Sequence, residues 1–83
     1  MFPSFKVTGC SLELLEPGEQ GIVAFYQTSN TKILEEITSI GVKIGTSITL
    51  EQQFPTLLIK VGGHIISINQ QIARNIYVRI VAS

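Results

Sequence analysis

From Ile48 to Ile80 the apolar residues of this chain recur at every second position, in short runs separated by turn residues. A period of two sends successive side chains to opposite faces of an extended strand, so this half of the chain reads as antiparallel sheet rather than helix. Ile48 and Leu50 alternate with Thr49 and Glu51; Leu57, Ile59 and Val61 alternate with Leu58 and Lys60. Gln53-Phe54-Pro55-Thr56 turns the chain between these runs, and Gly62-Gly63 has the composition of a tight hairpin turn. His64 to Ile68 returns with Ile66 and Ile68 on one face, and Ile76, Val78 and Ile80 form the last stripe, with Arg79 opposite.

The first half is less regular. Ser11-Leu12-Glu13-Leu14-Leu15 fits either a short strand or a helical turn, and Glu16-Pro17-Gly18-Glu19 is a turn. Gly21 to Tyr26 reads as a strand whose apolar residues do not alternate cleanly, so both faces are expected to be partly covered. Ser29-Asn30-Thr31 offers capping oxygens, after which Ile33, Leu34, Ile37 and Ile40 make one helical stripe that Gly41 ends. Asn69 to Arg74 suits a single 3₁₀ turn. Strands are thus predicted over 21–27, 46–53, 56–61, 64–68 and 75–81, with one α-helix near 31–40.

With 83 residues there is material for one domain, and the Ile- and Val-rich composition favours sheet. Coiling about five short antiparallel strands into a small barrel would bury them, and a one-turn helix before the last strand is usual in SH3-like barrels. The expected fold is therefore mainly β: a partly open SH3-like barrel over residues 11–83 with one inserted α-helix, preceded by an N-terminal extension over 1–10.

Charge and cysteine usage exclude several functions. Six basic residues balance six acidic ones, leaving no cationic excess for phosphate backbones. An RNA-binding barrel seeded by Lys60 and Arg79 would also want stacking aromatics, so nucleic acid is not an expected partner. A neutral surface leaves docking and homo-oligomer formation easy. Cys10 is the sole cysteine and forms no intrachain disulfide. The sequence from Met1 to Lys6 lacks the pattern of a signal peptide, and no run approaches the roughly 18 apolar residues of a membrane span. A cytoplasmic protein without direct membrane insertion is expected.

Chemistry-bearing residues are sparse. Cys10, His64 and the Glu residues are the candidate metal ligands, yet no Cys-x-x-Cys, His-x-x-x-His or Glu-x-x-His spacing gathers them. Cys10 reads as a small packed side chain, His64 as a polar residue after a hairpin, and Glu35-Glu36 as a solvated helix face. One His, one Cys and no Asp assemble no catalytic triad. Gly18-Glu19-Gln20-Gly21 lacks the Gly-Lys-Ser/Thr ending of a phosphate loop. No enzyme, cofactor or fixed metal site is expected.

Nearly the whole chain resembles the FeoA domain family of bacterial ferrous iron transport. The resemblance is carried by Leu12, Leu15 and Pro17-Gly18-Glu19-Gln20-Gly21-Ile22-Val23, then by Ile40-Gly41-Val42-Lys43-Ile44-Gly45-Thr46-Ser47-Ile48. Gly62-Gly63, Ile66-Ser67-Ile68 and Ala73-Arg74-Asn75-Ile76-Tyr77-Val78 complete it. Two positions depart from the pattern: Lys32, Glu35 and Glu36 stand where many members carry basic helix residues, and Ile44 stands where Pro is usual. The resemblance implies a small accessory protein that docks on the cytoplasmic side of the GTP-hydrolysing permease FeoB, with at most weak transition-metal affinity. The alternative it implies is a free-standing relative of the SH3-like C-terminal domain of DtxR-type metal-dependent repressors. Strand alternation places Leu58 and Ile65 outside the core, with Phe25 and Val81 beside them if their strands share the register; these four are the candidate interaction residues.

Overall fold

In the computed structural model, which describes residues 7–81, Asn30 and Gly41 delimit the longer helix, α1 (Thr31–Ser39). The Asn30 side chain accepts the N–H groups of Lys32 and Ile33 at 2.9 and 3.3 Å, satisfying two donors the first turn leaves open. At the other end Gly41 takes φ +87°. Its N–H reaches Thr38 O at 3.1 Å while that of Val42 reaches Ile37 O at 3.3 Å, the paired bonds of a Schellman stop. Ile37 is the fully buried residue of the stripe, with Ile33 and Ile40 packed against the core beside it.

The strands are β1 (Val7–Ser11), β2 (Gln20–Tyr26), β3 (Ser47–Gln52), β4 (Leu57–Val61), β5 (His64–Ile68) and β6 (Ile76–Val81). They form one antiparallel sheet in the order β1-β6-β2-β3-β4-β5. Gly62 and Gly63, at φ +58° and +85°, close the two-residue turn between β4 and β5. A 3₁₀ turn over Leu12–Leu14 follows β1 and puts Leu12 and Leu15 on one side, both fully buried. The core is otherwise the inner face of the sheet: Val23, Ile48, Leu50, Ile59, Ile76 and Val78 are all essentially inaccessible to water. Each such side chain contributes roughly 1.5–3 kcal/mol relative to its exposed state.

Two expectations are corrected. The sheet is not the SH3-like barrel of about five strands: among the described residues it has six, and it stays open, with β1 and β5 at opposite edges. β6 is flanked on both sides, by β1 and by β2, and among the described residues no pairing joins the terminal strands β1 and β5, which is what closing the ring would require. The added strand β1 pairs with β6 from Val7↔Val81 to Ser11↔Tyr77. Finally, Gln70–Arg74 is a short α-helix, α2, rather than a 3₁₀ turn. Asn69 caps it through Ile72 N–H at 2.8 Å, and burial of Ile72 and Ala73 holds five residues that would not be helical alone.

Candidate functional site

The outer face of the sheet carries the apolar side chains that the core leaves over. On β4 and β5 strict alternation holds: Leu57, Ile59 and Val61 point inward, and Leu58 and Lys60 outward. Lys60 pairs with Ile65 and Leu58 with Ser67, so Leu58 and Ile65 are diagonal neighbours on one outer surface. Ile65 is 57% exposed and Leu58 is half-buried.

Phe25 reaches the outer face by a different route. Val23 points inward opposite Val78, and two residues later an unbroken strand would point Phe25 inward as well. A bulge between them shifts the register, so that Phe25 sits opposite Tyr77 instead. The two rings stack on the outer face with centroids 4.5 Å apart and planes 10° apart. Tyr77 also lies over Gly9 of β1, where a Cβ would collide with the ring. Ile22 joins this plate, since it and Arg79 are paired on the same face. The bulge lets the next residue, Tyr26, turn inward, where its hydroxyl donates to Val42 O at 2.8 Å.

The structure therefore brings Leu58 together with Ile65 but not with Phe25. Gln20, Ser47, Thr49 and Lys60 lie between the two apolar areas, and the Gln20 amide donates to the Ser47 hydroxyl across β2 and β3. Val81 ends β6, and its side chain lies outside the described residues. Sequence reasoning did not single out Tyr77 or Ile22. Tyr77 was legible as the residue between Ile76 and Val78, whereas its stacking partner depended on the bulge.

A cleft of about 390 Å³ opens between α1, α2 and the end of β5, lined by Glu36, Ser39, Ile40, Ser67, Ile68 and Ile72. Among the described residues Glu36 is its one charged side chain.

The candidate ligands stay dispersed. Among the described residues no three of His, Cys, Asp and Glu come close enough to hold a metal ion. Cys10 faces the inner side of β1, opposite Val78; burial first, and the negative charge of Glu19 second, raise its thiol pKa above the ordinary value. A protonated thiol is a poor ligand and a poor nucleophile. His64 is exposed at the hairpin on β5, and Glu35 and Glu36 are exposed on α1. Lys60 and Arg79 stand on β4 and β6, with β2 and β3 between them, and form no basic stripe.

The family model of the FeoA domain matches residues 10–80. A protein of Leptolyngbya boryana with the provisional name Fe(2+) transport protein A is 34% identical over 77 residues, covering 92% of this chain and 94% of the relative. The solution structure of a FeoA-like protein from Clostridium acetobutylicum superposes with a TM-score of 0.82 at 21% identity, covering 94% of this chain and 93% of that one. A manganese-dependent transcriptional repressor gives a TM-score of 0.80 at 16% identity, with 93% of this chain matching 44% of the repressor. These last two likenesses are of fold.

Proposed function

The chain belongs to the FeoA domain family, and from that premise we propose that it docks on the cytoplasmic side of a FeoB-type, GTP-hydrolysing iron permease and acts there as a regulatory accessory. The FeoA domain is itself a non-catalytic accessory domain. The observation that carries the docking reading is the outer sheet face, where Leu58 and Ile65 form one apolar area and Phe25, stacked on Tyr77, forms another. These side chains contribute little to the core and are free to be buried by a partner. With zero net charge, association rests on apolar area rather than on long-range steering. Affinity for Fe²⁺ or Zn²⁺ is weak in this reading, because the ligands are scattered and the Cys10 thiol holds its proton.

The experiment is a binding assay between the purified chain and the cytoplasmic portion of the permease. The variant Leu58→Glu/Ile65→Glu should keep its fold, since both side chains point away from the core, and lose about 2 kcal/mol or more of binding. Moderate salt should leave the wild-type complex intact. A folded variant that binds normally, or a wild-type complex that dissolves in salt, places the contact on the α1 face around Lys32, Glu35 and Glu36 instead.

A second reading is favoured by the fold likeness to the manganese-dependent repressor: a free-standing relative of that repressor's domain. A neighbouring gene for a polytopic membrane protein with a G domain decides for the permease; one for a helix-turn-helix protein decides for the repressor.

A further inference from the structure

Because the sheet stays open, β5 has no strand partner on its outer edge among the described residues. We propose that this edge pairs with β5 of a second copy of the chain, antiparallel about a two-fold axis at Ile66, so that two sheets continue into one. The pairing of β5 with β4 dictates which backbone groups face outward. Val61 and His64 flank the two-residue glycine turn and are its hydrogen-bonded pair. Hydrogen-bonded and non-hydrogen-bonded pairs then alternate along the hairpin. His64, Ile66 and Ile68 thus spend their N–H and C=O groups on β4, and Ile65 and Ser67 direct theirs to the open side.

Natural edge strands carry Lys, Pro, an inward charge or a bulge that discourages pairing. β5 reads His-Ile-Ile-Ser-Ile and pairs with β4 in unbroken register, so it has none of these devices. With the axis at Ile66, Ile65 of one copy lies opposite Ser67 of the other, and the outward groups of both exchange four hydrogen bonds. Ile66 meets its own counterpart in the closer, non-hydrogen-bonded kind of pair. Ile66 and Ile68, only half-buried in the single chain, then continue the core across the junction. His64 of one copy comes opposite Ile68 of the other, at the cleft that Glu36 lines. Gly62 and Gly63 bring no side chains to obstruct the approach, and zero net charge supplies no repulsion.

Five residues of edge bury less than the roughly 1,200 Å² of a stable interface, so the dimer is weak, with a dissociation constant on the order of 100 μM. The inference does not rest on permease docking, which uses outward side chains rather than the strand edge.

The test is sedimentation equilibrium of the full chain from about 20 μM to about 2 mM, spanning that constant. Hydrogen exchange is read at both ends. The apparent mass should climb from one chain toward two, while the amides of Ile65 and Ser67 become protected. Ser67→Pro removes an outward N–H that the single chain does not use, a place where strands tolerate Pro, and should remain a monomer. Two further variants keep the test decisive should that hairpin fail to fold. Ile65→Lys/Ser67→Lys surrounds the axis with like charges and should be monomeric; Ile65→Glu/Ser67→Lys sets opposite charges face to face and should restore the dimer. A wild type that stays monomeric at the highest concentration overturns the proposal. So does a dimer that survives Ser67→Pro or leaves those amides unprotected, or a charge-swapped pair that fails to associate.

Discussion

Gly21 is a glycine without a left-handed backbone, and its replacement tests how tightly the two halves of the sheet are packed. It sits on the inner face of β2, where a Cβ would lie 2.8 Å from both Cβ and Cγ2 of Val78, and 3.5 Å from the carbonyl oxygen of Arg79. Carbon atoms in contact prefer about 3.5–4.0 Å, so the gap is short by roughly 1 Å. Val78 has little room to give it. It is fully buried, its branched side chain has few rotamers, and β6 is hydrogen-bonded to strands on both sides. Overpacking of this kind costs about 1–3 kcal/mol. Against it stands about 0.4–1 kcal/mol gained because alanine has less unfolded-state freedom than glycine. Gly21→Ala should therefore destabilise the protein by about 1–2 kcal/mol, which for a domain of this size lowers Tm by roughly 5–15 °C. Thermal and urea unfolding followed by circular dichroism measure both quantities. Val78→Ala removes the Cγ2 contact but leaves the Cβ one. The double variant should accordingly lose less than the sum of the single losses, by about 1 kcal/mol. A Gly21→Ala protein as stable as wild type, or strictly additive losses, would refute the close approach.

At the end of α1, Gly41→Ala places a side chain at φ +87° and should cost about 1 kcal/mol. An unchanged Tm would remove the Schellman stop from the account. Calorimetric titration with Fe²⁺ or Zn²⁺ should show binding no tighter than micromolar, weakening further as pH falls because protons compete for the same donors. Sub-micromolar, stoichiometric binding abolished by His64→Ala would contradict the dispersed arrangement of ligands.

What the sequence determined by itself is what is local. The alternation from Ile48 onward marks β3 to β6 to within a residue or so of their ends, because side-chain direction along an unbulged stretch of strand follows parity. The apolar stripe between Asn30 and Gly41 marks α1, since both the cap and the left-handed stop are properties of single residues. The same parity puts Leu58 and Ile65 on the outer surface. Tertiary structure decided what depends on distant partners. Val7–Ser11 carries no alternating pattern and is a strand because β6 offers it an edge. That pairing, invisible in either segment alone, puts β1 at one edge of the sheet and β5 at the other. Phe25 faces outward because β2 leaves β3 after Ile22 and follows β6 with one extra residue, and a bulge obeys the geometry of two strands rather than the parity of one. Gln70–Arg74 is helical because Ile72 and Ala73 find the core, a gain that no five-residue segment contains within itself.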